Sequence, residues 1–409
     1  MNTAVFGFGG VGAGRIVLLA LLLAAGSQLT GCWDRKEANS LGIIMAAGID
    51  KASDNLIEIT VQVYNPRADG GSQSGEIKSG GGGSDAIVVR SEVGSTIADA
   101  MSKMQEKFSR RIFWGHGELF IISEEVARDG VRSHLDFLIR NPELRDNADI
   151  FVSKGPAKQI LSKQPALERN ASEMLRHLAQ LQLGIKSTII DLAQMLADEA
   201  GAAALPMIDL VKPVKNEGNL ELIPHMGGTA VFKEDKMIGT LDDSSTRGLM
   251  WVRNEVDSST VTVTPARSDR GTVSIKMIRG STKLIPQIKG GQWMIRVKSY
   301  TVGDILQNTT QIDFSDPQLI VELEKDFSEH MKARFEETIS TVQKKMKSDV
   351  LGFAEAFHRK YPAEWRNAKD GWAERFSQVK VDIDAEVKIQ RKGLSGAGTI
   401  RPPQEVRHP

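Results

Sequence analysis

From Ile320 to Phe357 apolar residues recur every three or four positions: Ile320, Leu323, Phe327, Met331, Phe335, Ile339, Val342, Met346, Val350, Phe353 and Phe357. That step is close to the helical period and puts all of them on one stripe. Asp316-Pro317 supplies an N-cap and a proline at the first helical position. Gly352 marks where the helix bends or breaks. A stripe of this length requires an equally long apolar surface to cover it. The polar face mixes both signs of charge, which argues against lipid as that surface. The sequence offers a better partner in "SQVKVDIDAEVKIQRKG". There Val379, Val381, Ile383, Ala385, Val387 and Ile389 alternate with polar residues. This predicts a half-buried strand lying along one side of the long helix.

The rest of the chain reads as strands and shorter helices. Residues 41–64 form a hairpin, "IEITVQVY" alternating cleanly after a turn-rich "DKASDN". Residues 66–84 are a flexible Gly-rich loop. Strands at "AIVVRS", "GELFIIS" and "NADIFVS" alternate with helices. The first helix takes Ser95 as its N-cap, the second breaks at Gly130, and the third carries Pro156 in its first turn. Residues 166–200 read as mostly helical, with Leu175, Leu178, Leu181 and Ile185 on one stripe. Short β-rich runs then follow: "GGTAVFK", "KMIGTL", "STVTVTP" and "TVSIKMI". The expected class is α+β, with mixed and antiparallel sheets in three domains. These are an N-terminal α/β domain at 32–205, a small β-rich middle domain at 206–280, and an α+β domain at 281–393 holding the long amphipathic helix. Residues 394–409 read as a disordered tail.

Composition narrows the function. Lys+Arg and Asp+Glu balance at 52 each, so nothing electrostatic points to nucleic acid. The single cysteine, Cys32, excludes internal disulfides and Cys-rich metal sites, so core packing must hold the fold. Cys32 closes "LLLAAGSQLTGC", after the ten-residue apolar run "IVLLALLLAA" and the lone charge Arg15. The run is half the length of a membrane span and has the form of a signal-peptide h-region. Leu29-Thr30-Gly31-Cys32 has the form of a lipobox: an aliphatic residue and two small residues before a thiol. Residues 1–31 are accordingly a lipoprotein signal peptide, cut between Gly31 and Cys32, and a diacylglyceryl group on Cys32 anchors the mature chain. Gly7, Gly9 and Gly12 also match a dinucleotide fingerprint. Their context fails, because the following helix is apolar on all sides and runs into a Gly-Ser break.

No catalytic, cofactor or metal constellation is read from the residues. The seven histidines, at 116, 134, 177, 225, 330, 358 and 408, show no metal-ligand spacing. His116 and Glu118 in "FWGHGE" are the most suggestive pair, better explained as a structural hydrogen bond than as acid–base chemistry. Glu221, Asp242 and Asp243 read as turn residues rather than a glycosidase pair.

Several segments resemble, in order, the C-subunits of spore germinant receptors, the Ger(x)C lipoprotein family. They are "GCWDRKEANSLGIIMAAGID", "GSTIADAMSKMQEKFSRRIFWGHGELFIISEEVARDGV", "RNPELRDNADIFVSKGPAKQIL", "GTAVFKEDKMIGTLDDSSTRGLMWV" and the stretch from Gly352 to Gly393. The Gly-rich leader departs from the family pattern. The resemblance implies a three-domain α+β lipoprotein on the outer face of the spore inner membrane. It implies two partners, a multi-pass A-subunit and a transporter-like B-subunit, and no enzymatic activity. Two other readings share the lipobox. An extracytoplasmic solute-binding lipoprotein usually repeats two lobes, and 206–409 does not echo 33–205. A cell-wall hydrolase needs a metal or carboxylate constellation.

Overall fold

The computed structural model describes residues 40–64, 87–165, 167–211 and 222–391, together with Leu18. Cys32, the Gly-rich loop 66–84 and the tail 394–409 lie outside the described residues.

The fold is α+β and is built on two sheets. The first contains β1 (Leu41–Ser53), β2 (Leu56–Tyr64), β3 (Ile87–Gly94), β4 (Arg111–Phe113), β5 (Leu119–Ser123), β6 (Asp149–Ser153), β7 (Ala202–Val211), β8 (Ile223–Lys233) and β9 (Lys236–Leu241). Its strand order is β3-β2-β1-β5-β6-β7-β8-β9, with β4 added against β1. The four central strands β1, β5, β6 and β7 pair in parallel, and the flanking hairpins pair antiparallel. Parallel strands need helices on both faces, and every residue of β5 and β6 is buried. Alternation then sorts the side chains. Phe120 and Ile122 face α1 (Ile97–Glu106), α2 (Glu124–Asp129), α3 (Arg132–Arg140) and, further along, α6 (Ile189–Ala197). Leu119 and Ile121 face α4 (Ala157–Leu161) and α5 (Ala171–Gln180).

Side chains from one element start the helices of another. The buried Asp50 carboxylate on β1 accepts hydrogen bonds from Ala157 N (2.7 Å) and Lys158 N (2.9 Å), the start of α4. Burial pushes this carboxyl up although both N–H groups pull it down. Helix α6 opens on a reciprocal capping box: Thr188 Oγ1 accepts from Asp191 N, and Thr188 N donates to the Asp191 carboxylate at 2.9 Å. Thr188→Ala is expected to lower stability by about 1 kcal/mol in denaturant melts with an unchanged m-value.

The second sheet has the order β10 (Thr260–Val263), β11 (Val273–Lys289), β12 (Gln292–Asn308), β13 (Lys380–Arg391). Strands β11 and β12 form a hairpin with 17 residues in each arm, and β13 joins β12 in parallel. Helix α8 (Pro317–Ser340) starts at Asp316 with Pro317 in its first turn, as the sequence predicts. It packs on β13 as expected and also reaches its edge: Ser328 Oγ accepts from Val387 N, and Glu324 accepts from Ile389 N, both at 2.9 Å. Around it, α9 (Phe353–Lys360), α10 (Pro362–Arg366) and α11 (Trp372–Gln378) enclose an aromatic cluster of Trp293, Phe357, Trp365, Trp372 and Phe376.

Several expectations change. The apolar stripe from 320 to 357 is not one helix. Helix α8 ends at Ser340, a π-helical turn spans Thr341–Met346, Lys347 is left-handed (φ 49°), and α9 starts after left-handed Gly352. The period survives because both helices bury residues in one core. The expected domain junctions at 205/206 and 280/281 fall on β7 and in the middle of β11. The β-rich runs divide between sheets, β8 and β9 completing the first and β10 and β11 opening the second. Between them α7 (Asp243–Val252) was not anticipated; Gly248 lets it approach α8, since a Cβ there would sit 2.1 Å from Thr338 Oγ1. The cap of α1 is Thr96, with Ser95 instead bonding Asp99. Finally, Leu175 is buried but Leu181 lies 64% exposed beyond the end of α5, so the 175–185 stripe is not continuous.

Candidate functional site

A cleft of about 480 Å³ lies between β1, the β4–β5 turn and the start of α5. Its floor is apolar: Ile43 and Met45 from β1, Ile87 from β3, and Phe113 and Leu119 flanking the turn. Phe113 is 44% exposed and so open to a ligand from solvent. The rim is polar, with His116 and Glu118 on one side and Arg169, Asn170, Glu173 and Arg176 on the other.

The "FWGHGE" pair therefore faces a cleft, but the residues do not bond each other. Glu118 is held instead by Arg176 (3.2 Å) and Arg145 (3.8 Å), and Arg145 Nε donates to Gly115 O at 2.7 Å. This ties the turn to α5 and commits the Glu118 carboxylate to two cations. The arginines are 27 and 58 positions away in sequence, which no local motif could reveal.

The remaining candidates are structural where they are described. Asp242 caps α7 by accepting from Ser245 N (2.8 Å), which holds its carboxyl below the usual range. Glu221 and His408 lie outside the described residues. His134 is half-buried and pushed down by burial. His330 is pushed down by burial and then by Arg334. His358 stacks on Trp365, whose indole N–H donates to Glu199. The structure does gather one group that spacing missed. Ligand atoms of Glu168, Glu173 and His177 all lie within 4.8 Å of one another. Glu173 and His177 stand one turn apart on α5, a signal present in the sequence. The cluster is accounted for by a His177 Nδ1–Glu168 hydrogen bond of 3.0 Å and by Arg169 N donating to Glu173.

Two family models match almost end to end: "Spore germination protein N-terminal domain" over residues 34–210 and "Spore germination B3/ GerAC like, C-terminal" over 227–393. The chain belongs to the Ger(x)C family of spore germination proteins. Among Ger(x)C relatives, Spore germination protein KC of Bacillus subtilis (strain 168) is 29% identical over 398 residues, covering 93% of this chain and 96% of its own. Spore germination protein B3 of the same organism is 24% identical, covering 93% and 98%. The crystal structure of the GerBC protein shares the fold, with a TM-score of 0.54 at 18% identity, over 84% of this chain and 97% of that one. Among the described residues, no helix of this Ger(x)C chain is long and apolar enough to cross a membrane.

Proposed function

We propose that this chain is the lipid-anchored, non-enzymatic C-subunit of a nutrient germinant receptor. It is held on the outer face of the spore inner membrane by a diacylglyceryl group on Cys32. There it assembles with a multi-pass A-subunit and a transporter-like B-subunit. The observation that carries this reading is family membership across both halves of the chain, joined to a lipobox on its sole cysteine. A non-enzymatic role is supported by how three of the perturbed carboxylates are used. Asp50 and Asp349 accept backbone N–H groups and Asp242 caps a helix. A tether raises the effective concentration of the chain beside membrane partners, so interfaces of modest area suffice for assembly.

A tagged chain drawn from mildly solubilised dormant-spore membranes should bring an A-type and a B-type subunit with it. In a strain with no second receptor, deleting the chain should slow the response to at least one nutrient at unchanged spore yield. Recovery of the chain alone, with a normal response to every nutrient, would sink the reading.

A further inference from the structure

The cleft over β1 has the composition of a small-molecule site, and its polar groups state what the molecule must carry. Burial of an apolar ligand body is provided for by Ile43, Met45, Ile87 and Phe113. The volume of about 480 Å³ is within the ordinary range for ligand pockets. The two carboxylates on the rim are already engaged, Glu118 by Arg176 and Arg145, and Glu173 by Arg169 N. Of the donors, Arg176 is likewise committed, to Glu118, and three others are not. Among the described residues nothing accepts from the Arg169 guanidinium, the His116 ring or the Asn170 side-chain NH₂. The Asn170 carbonyl oxygen is taken by Glu173 N, which fixes the amide so that its NH₂ is the end left over. The cleft thus sets surplus donors, one of them a charged planar fork, beside an apolar floor. A carboxylate on an aliphatic body meets both demands, with its oxygens on Arg169 and Asn170 and its chain against Met45 and Phe113.

We propose that this cleft binds an aliphatic carboxylate. The chemistry is shared by a free short-chain acid and by the C-terminus of a peptide ending in an apolar residue. Binding needs no covalent step and does not depend on the receptor reading.

The test is calorimetric titration of the full-length chain in detergent with hexanoate, hexanol and N-acetyl-Ala-Leu at pH 7. The expected result is saturable binding of at least one carboxylate and at least about tenfold weaker binding of hexanol. The tighter of the two acids names the source. Arg169 is exposed and, among the described residues, its side chain holds no other element, so Arg169→Gln should fold normally and weaken the acid about tenfold while leaving hexanol unchanged. Phe113→Ala should weaken acid and alcohol together. No saturation by either acid overturns the proposal, as does hexanoate binding that Arg169→Gln leaves intact.

Discussion

Cys32→Ala is expected to abolish acyl labelling of the chain and its retention in the membrane fraction. The expectation rests on chemistry that only a thiol performs: a diacylglyceryl group would be joined through a thioether, and the sequence holds no second cysteine to substitute. The energetic consequence is large. Each buried CH₂ contributes about 0.8 kcal/mol, and two acyl chains hold a protein stably where one holds it marginally. The apolar run before the cysteine does not replace the anchor, since its ten residues are half of the roughly 20 that span a bilayer. Incorporation of labelled palmitate and fractionation of the variant measure both effects. Labelling at the level of the unaltered chain would refute the anchor site.

Asp349→Ala destabilises the chain by about 3 kcal/mol or more, because it strands three buried donors at once. The Asp349 carboxylate accepts from Phe353 N (3.1 Å), Ala354 N (2.6 Å) and Trp372 Nε1 (2.9 Å). It thereby starts α9 and fixes one tryptophan of the aromatic cluster. Burial raises its pKa above 3.8 in spite of these donors. An acid whose pKa is higher folded than unfolded holds its proton more tightly when folded. Its contribution to stability is therefore complete below 3.8 and is lost as pH rises through the folded-state value. Asp349→Asn keeps an acceptor and removes this titration. Guanidinium melts at several pH values should show the stability difference moving in favour of Asp349→Asn as pH rises. A difference that stays flat with pH would mean the carboxyl titrates alike in both states.

Local patterns were readable because they encode local geometry. The 41–64 hairpin, the buried runs of β5 and β6 and the Asp316-Pro317 start all appear where their periodicity places them. What alternation does not encode is the neighbour. "GGTAVFK" and "TVSIKMI" look alike as strands, yet one pairs with β7 and the other with β12. Helix α7 was hidden because its glycine, serines and β-branched residues weaken its helical signal, and because Asp242, its cap, reads in the sequence as a turn residue. The long stripe misled for a related reason: a period reports a shared core, and two helices can share one. The candidate cleft divides in the same way. Its His116–Glu118 side is a contiguous motif, whereas its arginine side arrives on α5 through the tertiary fold.

The pairing of β7 with β8 bears on how such chains evolve. The N-terminal family region stops at residue 210, one position short of the end of β7, and the C-terminal region begins at 227, inside β8. Those two strands pair from Ala202↔Lys233 to Val211↔Ile223. The two inherited regions are therefore joined by a backbone ladder within a single sheet. Severed there, the N-terminal region would present the raw side of β7 to solvent, an invitation to self-association. Recombination between relatives is thus constrained: the halves can be exchanged only where the incoming strand restores the same register, so this lineage is expected to inherit them as one piece.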